Sequence, residues 1–198
     1  MPEIDPQLAA IARRLAGREP ARAEPGTFDV AAAVAVCLRP GRTAPEALFI
    51  RRAEFEGDPW SGQVAFPGGR REPSDASLWE TAVRETREET GLDLDASGTP
   101  LGRLDDVHPR TRVLPNIAIT PFAVGVPQGA EAHLVSSEVR ALAWIPLPEL
   151  ARPERRGEVQ LHLPSGVRVH PSIRYDDYEI WGLTHRIVEQ LLEIARPD

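Results

Sequence analysis

Three carboxylates lie close together in the middle of the chain, at Glu85, Glu88 and Glu89. A helix turns by about 100° per residue, so on a helix all three fall within an arc of roughly 100°. Like charges at this spacing destabilise a bare helix by about 0.2–0.5 kcal/mol per pair. A divalent cation that prefers oxygen ligands removes that cost, so the spacing indicates a metal site. Taken alone, the same run is also typical of a solvent-exposed helix face.

The ends of this helix are marked in the sequence, which predicts a helix over residues 77–90. Ser77 with Glu80 three residues later forms a capping box, and Gly91 stands where a left-handed C-terminal residue is favoured. A stripe at helical spacing is expected to pack on a core: Leu78, Trp79, Ala82, Val83 and Thr86. Glu85 and Glu89 border this stripe, so we expect them beside the buried face, on the wall of a cleft.

The region from Gly69 to Leu92 resembles the Nudix box, whose form is G, five residues, E, seven residues, R-E-hydrophobic-x-E-E-x-G-hydrophobic. The matching residues are Gly69, Arg84, Glu85, Glu88, Glu89, Gly91 and Leu92. Asp75 stands in place of the first Glu, its spacer to Arg84 is eight residues, and Thr86 replaces an apolar residue. The first two departures are shared by the coenzyme A pyrophosphatase branch of the Nudix hydrolase superfamily. The chain is therefore identified as a member resembling that branch.

The resemblance implies a site that hydrolyses a phosphoanhydride with the help of Mg²⁺ or Mn²⁺. It implies that Glu85, Glu88 and Glu89 are metal ligands and that the Gly69 carbonyl adds an oxygen. Arg84 is implied to orient the acids, although a surface salt bridge would use the same residue.

The general base stays open at this point. In the superfamily it is either a box glutamate, here Glu85 or Glu88, or an acid on a later loop. Glu138, six residues before Trp144, is the preferred loop acid, with Glu131 as its rival. Either loop acid is equally well read as plain surface charge.

Strands alternating with a few helices predict an α/β/α sandwich around a mixed β-sheet, and the resemblance implies the same fold. Residues 1–27 read as an N-terminal helix and linker, and residues 28–198 as the Nudix domain. Hairpins are expected at 28–53 and 160–173, with a central strand at 113–126 bent at Pro115 and Pro121. An amphipathic helix is expected over 179–195.

Composition narrows the class of partner. No apolar run approaches the roughly 20 residues that cross a bilayer, and the N-terminus lacks the pattern of a signal peptide, so we expect a cytoplasmic protein without membrane contact. A net charge of −7 argues against nucleic acid as a partner. Basic residues near the box suit a small phosphorylated ligand, and Arg51, Arg52 and Arg70 are the candidate substrate-binding residues. The sequence leaves the oligomeric state open, homodimers being common in the superfamily.

The segment from Leu48 to Gly69 keeps the spacing of the signature that precedes the box in the coenzyme A branch, but Gly57-Asp58 replaces its basic pair. Three readings therefore stand. The first is a hydrolase of coenzyme A or acyl-CoA that releases 3′-phospho-ADP and 4′-phosphopantetheine. The second acts on ADP-ribose or another nucleoside diphosphate derivative. The third is a catalytically silent ligand-binding domain.

Overall fold

The computed structural model describes residues 4–24, 26–56, 60–109, 116–163 and 166–196. The described helices are α1 (Pro6–Ala16), α2 (Leu78–Thr90), α3 (Leu94–Ser97), α4 (Leu147–Ala151) and α5 (Gly182–Ala195), with a short 3-10 helix at Pro153–Arg155. The described strands are β1 (Val30–Arg39), β2 (Glu46–Arg52), β3 (Val64–Ala65), β4 (Gly68–Arg70), β5 (Thr99–Arg103), β6 (Ile117–Gly125), β7 (Val139–Pro146), β8 (Arg156–Leu163), β9 (Gly166–Tyr175) and β10 (Tyr178–Trp181).

A mixed sheet organises the fold around β1. This strand runs parallel to β6 from Val30 to Leu38 and antiparallel to β2 and β4. The path of the sheet is β3-β2-β1-β6-β5, with β7 added on β2 and β4 on β1. Strands β8, β9 and β10 form a separate three-stranded sheet. The predicted hairpin at 28–53 is confirmed as the β1–β2 pair, in which Leu38 faces Ala47.

Successive side chains of β1 point to opposite faces of the sheet, as the pleat requires. Ala35 and Cys37 are fully buried in the core under α2 and α3. Val36 and Leu38 are fully buried in the opposite core, which also holds the apolar faces of α1 and α5. Two helical layers therefore enclose the sheet, and the predicted α/β/α sandwich with a mixed sheet is confirmed.

Helix α1 packs into the core that holds Val36 and Leu38. Asp5 caps its start by accepting the Gln7 N–H at 2.9 Å, and Leu8, Ile11 and Leu15 are buried. Arg14 donates to carbonyls at the C-terminal end of α5, including that of Ile194 at 2.9 Å. These contacts join the first helix of the chain to the last one. The division at residue 28 stays a prediction.

Two details of the predicted elements were wrong. Residues 179–181 continue β10, which pairs with β9, and the last helix begins only at Gly182. The central strand was expected to bend at Pro115 and Pro121, and Pro115 lies outside the described residues. At Pro121 the parallel register of β6 with β1 is regular. The Pro121 carbonyl accepts the Leu104 N–H at 3.0 Å, so its missing N–H also faces the β5 side, just past the end of that strand. The irregularity lies in β5, between Pro100 and Gly102.

Candidate active site

Helix α2 is held at both ends in the way its sequence predicts. Ser77 Oγ accepts the Glu80 N–H at 3.2 Å, and the Glu80 carboxylate accepts the Ala76 N–H at 2.8 Å. Gly91 adopts a left-handed conformation with φ 71° and donates to the Arg87 carbonyl. The helix packs its apolar stripe on β1, so its acidic side is fixed relative to the sheet.

Glu89 lies inside the buried face of α2, so its expected place beside that face was wrong. The residue is only 4% exposed, and one carboxylate oxygen accepts the Gly68 N–H at 2.9 Å. Burial raises the pKa of Glu89 to about 8, and the neighbouring Glu85 charge adds to this rise. The Gly68 N–H and the positive charge of Arg52 oppose it. A second positive charge near this carboxylate would favour its ionised form.

Glu85 lies directly against the backbone of Gly69. A Cβ at position 69 would overlap the Glu85 carboxylate, so a larger residue there would displace this carboxylate from its present position. Burial is the main cause that raises the pKa of Glu85, and the charges of Glu88 and Glu138 act in the same direction. Glu85 and Glu89 thus both lie against the glycine loop, and the charges of Glu88 and Glu138 act on Glu85.

Arg84 connects these acids to a buried aspartate. Its Nε and Nη2 each donate to the Asp75 carboxylate at 3.0 Å, and its Nη1 donates to Glu85 at 2.9 Å and to Glu88 at 3.2 Å. The Asp75 side chain is 5% exposed and also accepts the Thr81 hydroxyl and the Glu72 N–H. The hydrogen bonds from Arg84 hold the pKa of Asp75 well below its usual range. Asp75 thus holds Arg84 beside the acids.

The two candidate loop acids lie in different surroundings. The Glu138 backbone carbonyl accepts the Ala53 N–H at 2.7 Å, which ties the start of β7 to the end of β2. Its side chain is exposed, and its charge helps to raise the pKa of both Glu85 and Glu89. The Glu131 side chain is 81% exposed and lies 3.8 Å from His133. Of the two loop acids, Glu138 is therefore the one whose charge acts on the carboxylates of Glu85 and Glu89.

The three candidate arginines are placed differently. The positive charge of Arg52, at the end of β2, lowers the pKa of Glu89. Arg70 is exposed, and its carbonyl accepts a hydrogen bond from Arg84 at 3.2 Å. Arg51 is bound by Asp177 and stacks on the Tyr178 ring at 4.6 Å. In this structure it therefore fastens the small sheet to β2.

The Arg51 contacts were missed by the sequence reasoning. Asp177 lies 126 positions further along the chain, and no local pattern connects the two residues. The Gly57-Asp58 pair, which bears on substrate choice, lies outside the described residues.

Comparison with known families agrees with this geometry. The model of the NUDIX domain matches residues 29–163. The chain belongs to the Nudix family. This span includes β1, the glycine loop, all of α2 and both candidate loop acids.

A relative of this Nudix chain has a similar length. It is the "Uncharacterized Nudix hydrolase NudL" of Yersinia enterocolitica, 36% identical over 174 residues, which cover 86% of this chain and 85% of the relative.

Solved structures show the fold alone. A NUDIX hydrolase from Alicyclobacillus acidocaldarius aligns with a TM-score of 0.52 at 20% identity, over 86% of this chain and 94% of that one. A MutT/nudix family protein from Enterococcus faecalis aligns with a TM-score of 0.53 at 15% identity, over 92% and 67% of the two chains.

Nudix hydrolases generally use divalent metal ions, and the donors present here fit such an ion. All are oxygens, from Glu85, Glu88, Glu89 and the Gly69 carbonyl, and hard cations prefer oxygen ligands. Within the described part of the chain, however, no three acidic, histidine or cysteine side chains converge into a ready-made cluster. Arg84 holds Glu85 and Glu88, while the Gly68 N–H holds Glu89. Binding a cation would require these side chains to turn toward a common point.

Within the described ranges, no helix is both long enough and apolar enough to cross a bilayer.

Proposed function

We propose that this Nudix hydrolase cleaves the diphosphate of coenzyme A or acyl-CoA, using Mg²⁺ or Mn²⁺. The observation that carries the proposal is the position of the segment from Leu48 to Gly69, which resembles the signature of the coenzyme A branch. It forms β2, β3 and the glycine loop, and it brings Arg52 toward Glu89 and Gly69 against Glu85. The residues of that signature thus adjoin the acids of the box.

Counting phosphates corrects the expected nucleotide product. Coenzyme A carries a 3′-phosphate and a diphosphate, and hydrolysis between the two diphosphate phosphorus atoms leaves one phosphate on pantetheine. The other product is therefore adenosine 3′,5′-bisphosphate and not 3′-phospho-ADP. Water supplies the oxygen of the new P–O bond, and the bridging oxygen leaves with the other phosphate.

The residues of the chain divide the chemical work. Glu85, Glu88, Glu89 and the Gly69 carbonyl would hold the cation, which polarises the phosphoryl oxygens and makes bound water more acidic. Arg84, anchored by Asp75, sets the positions of Glu85 and Glu88. Glu138 is the group we assign to take the proton from the attacking water, because its charge acts on the two buried carboxylates.

A second candidate is a hydrolase of ADP-ribose or another nucleoside diphosphate derivative. The replacement of the branch's basic pair by Gly57-Asp58 favours it, because that pair is suited to bind the 3′-phosphate of coenzyme A. If the basic pair of the branch binds that phosphate, this chain has lost the contact, and one hydrogen bond to a charged group contributes about 1.5–3 kcal/mol. We therefore expect this protein to prefer coenzyme A over dephospho-CoA by less than about tenfold in kcat/KM.

A substrate panel tests the proposal. Coenzyme A, acetyl-CoA, dephospho-CoA, ADP-ribose and a diadenosine polyphosphate are incubated with the protein and Mg²⁺ or Mn²⁺, and the products are identified by mass. We expect 4′-phosphopantetheine or its acyl form together with adenosine 3′,5′-bisphosphate. A higher kcat/KM for ADP-ribose than for any coenzyme A compound would favour the second candidate. No turnover of any diphosphate with either metal would refute both candidates.

A further inference from the structure

Large apolar side chains are exposed on three segments of the described part of the chain. Val167 and Val169 lie on the β8–β9 hairpin of the small sheet, 55% and 50% exposed. The others are Phe55, Leu134 and Val135, with exposures of 48%, 56% and 60%. These three residues, which we call the apolar rim, lie on the two loops that adjoin the candidate active site.

The loop that carries Leu134 and Val135 contacts the end of α2. The His133 N–H donates to the Thr90 carbonyl at 2.8 Å. A Cβ on Gly91 would lie 3.2 Å from a methyl group of Val135. Gly91 follows Glu88 by three residues, which is about 4.5 Å along a helix axis. Val135 therefore contacts the residue that ends the acidic helix, three positions after a candidate metal ligand.

The loop that carries Phe55 leaves β2 directly after Arg52, whose positive charge lowers the pKa of Glu89. The Phe55 N–H donates to Ser61 Oγ at 2.9 Å, so this part of the loop is fastened back on itself. Three residues of extended chain span at most about 11 Å, which limits the distance of Phe55 from Arg52. The bond from the Ala53 N–H to the Glu138 carbonyl, 2.7 Å long, joins the two loops.

Hydrogen bonds hold the backbone on both sides of Leu134 and Val135. Glu138 N–H bonds to Ser136 Oγ at 3.1 Å just after Val135, and His133 is bonded just before Leu134. A ligand that covers the exposed apolar side chains removes their area from water, and this makes the binding of the ligand more favourable. A substrate whose diphosphate lies at the acids carries groups on both sides of the diphosphate, and the two loops are bonded to the ends of β2 and α2, which bear Arg52 and the acids.

We propose that the apolar rim binds an apolar chain carried on the non-nucleoside side of the substrate's diphosphate. The proposal rests on the proposed function and narrows it. Coenzyme A thioesters carry such a chain in the pantetheine arm and its acyl extension, whereas a sugar such as the second ribose of ADP-ribose offers hydroxyl groups instead. The rim thus favours thioesters with acyl groups of moderate length over free coenzyme A.

The size of the effect follows from the area that a chain can cover. Each methylene moved from water onto apolar surface improves binding up to roughly fourfold. We therefore expect KM to fall from acetyl- to butyryl- to hexanoyl-CoA while kcat changes little, because the chain lies away from the reacting phosphorus. The series is limited to acyl groups of at most eight carbons so that the substrates do not form micelles in the assay.

The test compares this series on the wild type, on Phe55→Ser, on Leu134→Ser and on the double variant. The matched control is the double variant Val167→Ser with Val169→Ser, since it removes apolar groups of similar exposure from the small sheet. The proposal expects the rim variants to lose most of the dependence of KM on chain length and to keep kcat for acetyl-CoA. The control should retain the full dependence.

The outcomes separate this proposal from the proposed function. If the wild type cleaves coenzyme A but the KM for its thioesters is independent of acyl length, the proposal for the apolar rim is refuted and the proposed function stands. The rim is also refuted if its variants keep the wild-type dependence, or if the control loses it equally. If no coenzyme A compound is cleaved while ADP-ribose is, both proposals fail.

Discussion

Replacing Asp75 by Asn should destabilise the protein by about 3 kcal/mol at neutral pH. The Asp75 carboxylate is nearly inaccessible to solvent and receives two hydrogen bonds from Arg84 and one each from Thr81 and the Glu72 backbone. Removing one charge of a buried ion pair costs about 3–5 kcal/mol. The lower end applies here because Arg84, 17% exposed, retains Glu85 as a partner. For a chain of this size the melting temperature should fall by about 6–12 °C.

The pH dependence gives this prediction a sign. The bonds from Arg84 lower the pKa of folded Asp75 below its unfolded value, which is about 3.9. The stabilisation is therefore present above the unfolded pKa and is lost as the pH falls toward the folded one. The difference in free energy of unfolding between wild type and Asp75→Asn should be constant from pH 7 to 5 and shrink below about pH 4.

Urea unfolding at pH 7, 5, 4 and 3 measures this difference directly. The matched control is Asp95→Asn, an exposed aspartate in the first turn of α3, which should change the free energy by less than about 0.5 kcal/mol. The reasoning is refuted if Asp75→Asn costs less than about 1 kcal/mol at pH 7. It is also refuted if the cost at pH 3 equals that at pH 7.

Four further predictions concern the site and the first helix. Glu89→Gln removes a charge from the candidate metal ligands and should lower kcat by at least about 10²-fold with either metal, and EDTA should abolish wild-type turnover; normal kcat in this variant would exclude Glu89 as a ligand. Glu138→Gln should lose most activity while Glu131→Gln stays near wild type in the same assay, and the reverse result would move the base to the other loop. Gly69→Ala forces the Glu85 carboxylate away, so calorimetry should detect weaker Mn²⁺ binding, and unchanged affinity would contradict the close approach. Leu15→Ala empties a site only 4% exposed and should cost about 2–5 kcal/mol in urea unfolding, whereas a loss below 1 kcal/mol would show that α1 is peripheral.

Local signals in the sequence were enough to predict the acidic helix. Ser77 and Gly91 terminate α2 through contacts with residues a few positions away, and its apolar stripe follows the helical period. The β1–β2 hairpin was predicted for the same reason, since both strands and the turn are adjacent in the chain. The spacing of the box also identified the family, because its residue types and intervals are seldom met by chance in one helix.

Tertiary structure decided what surrounds those residues. Glu89 is buried because the backbone of Gly68, 21 positions earlier, covers it and donates a hydrogen bond. Residues 179–181 fit a helical pattern, yet they pair with β9, since ladder hydrogen bonds to a neighbouring strand outweigh a weak local propensity. Arg51 stacks on Tyr178, a residue far along the chain. Sequence thus determined the elements whose stabilising contacts are local, and only the folded chain could determine burial and pairing, because these depend on residues far apart in sequence.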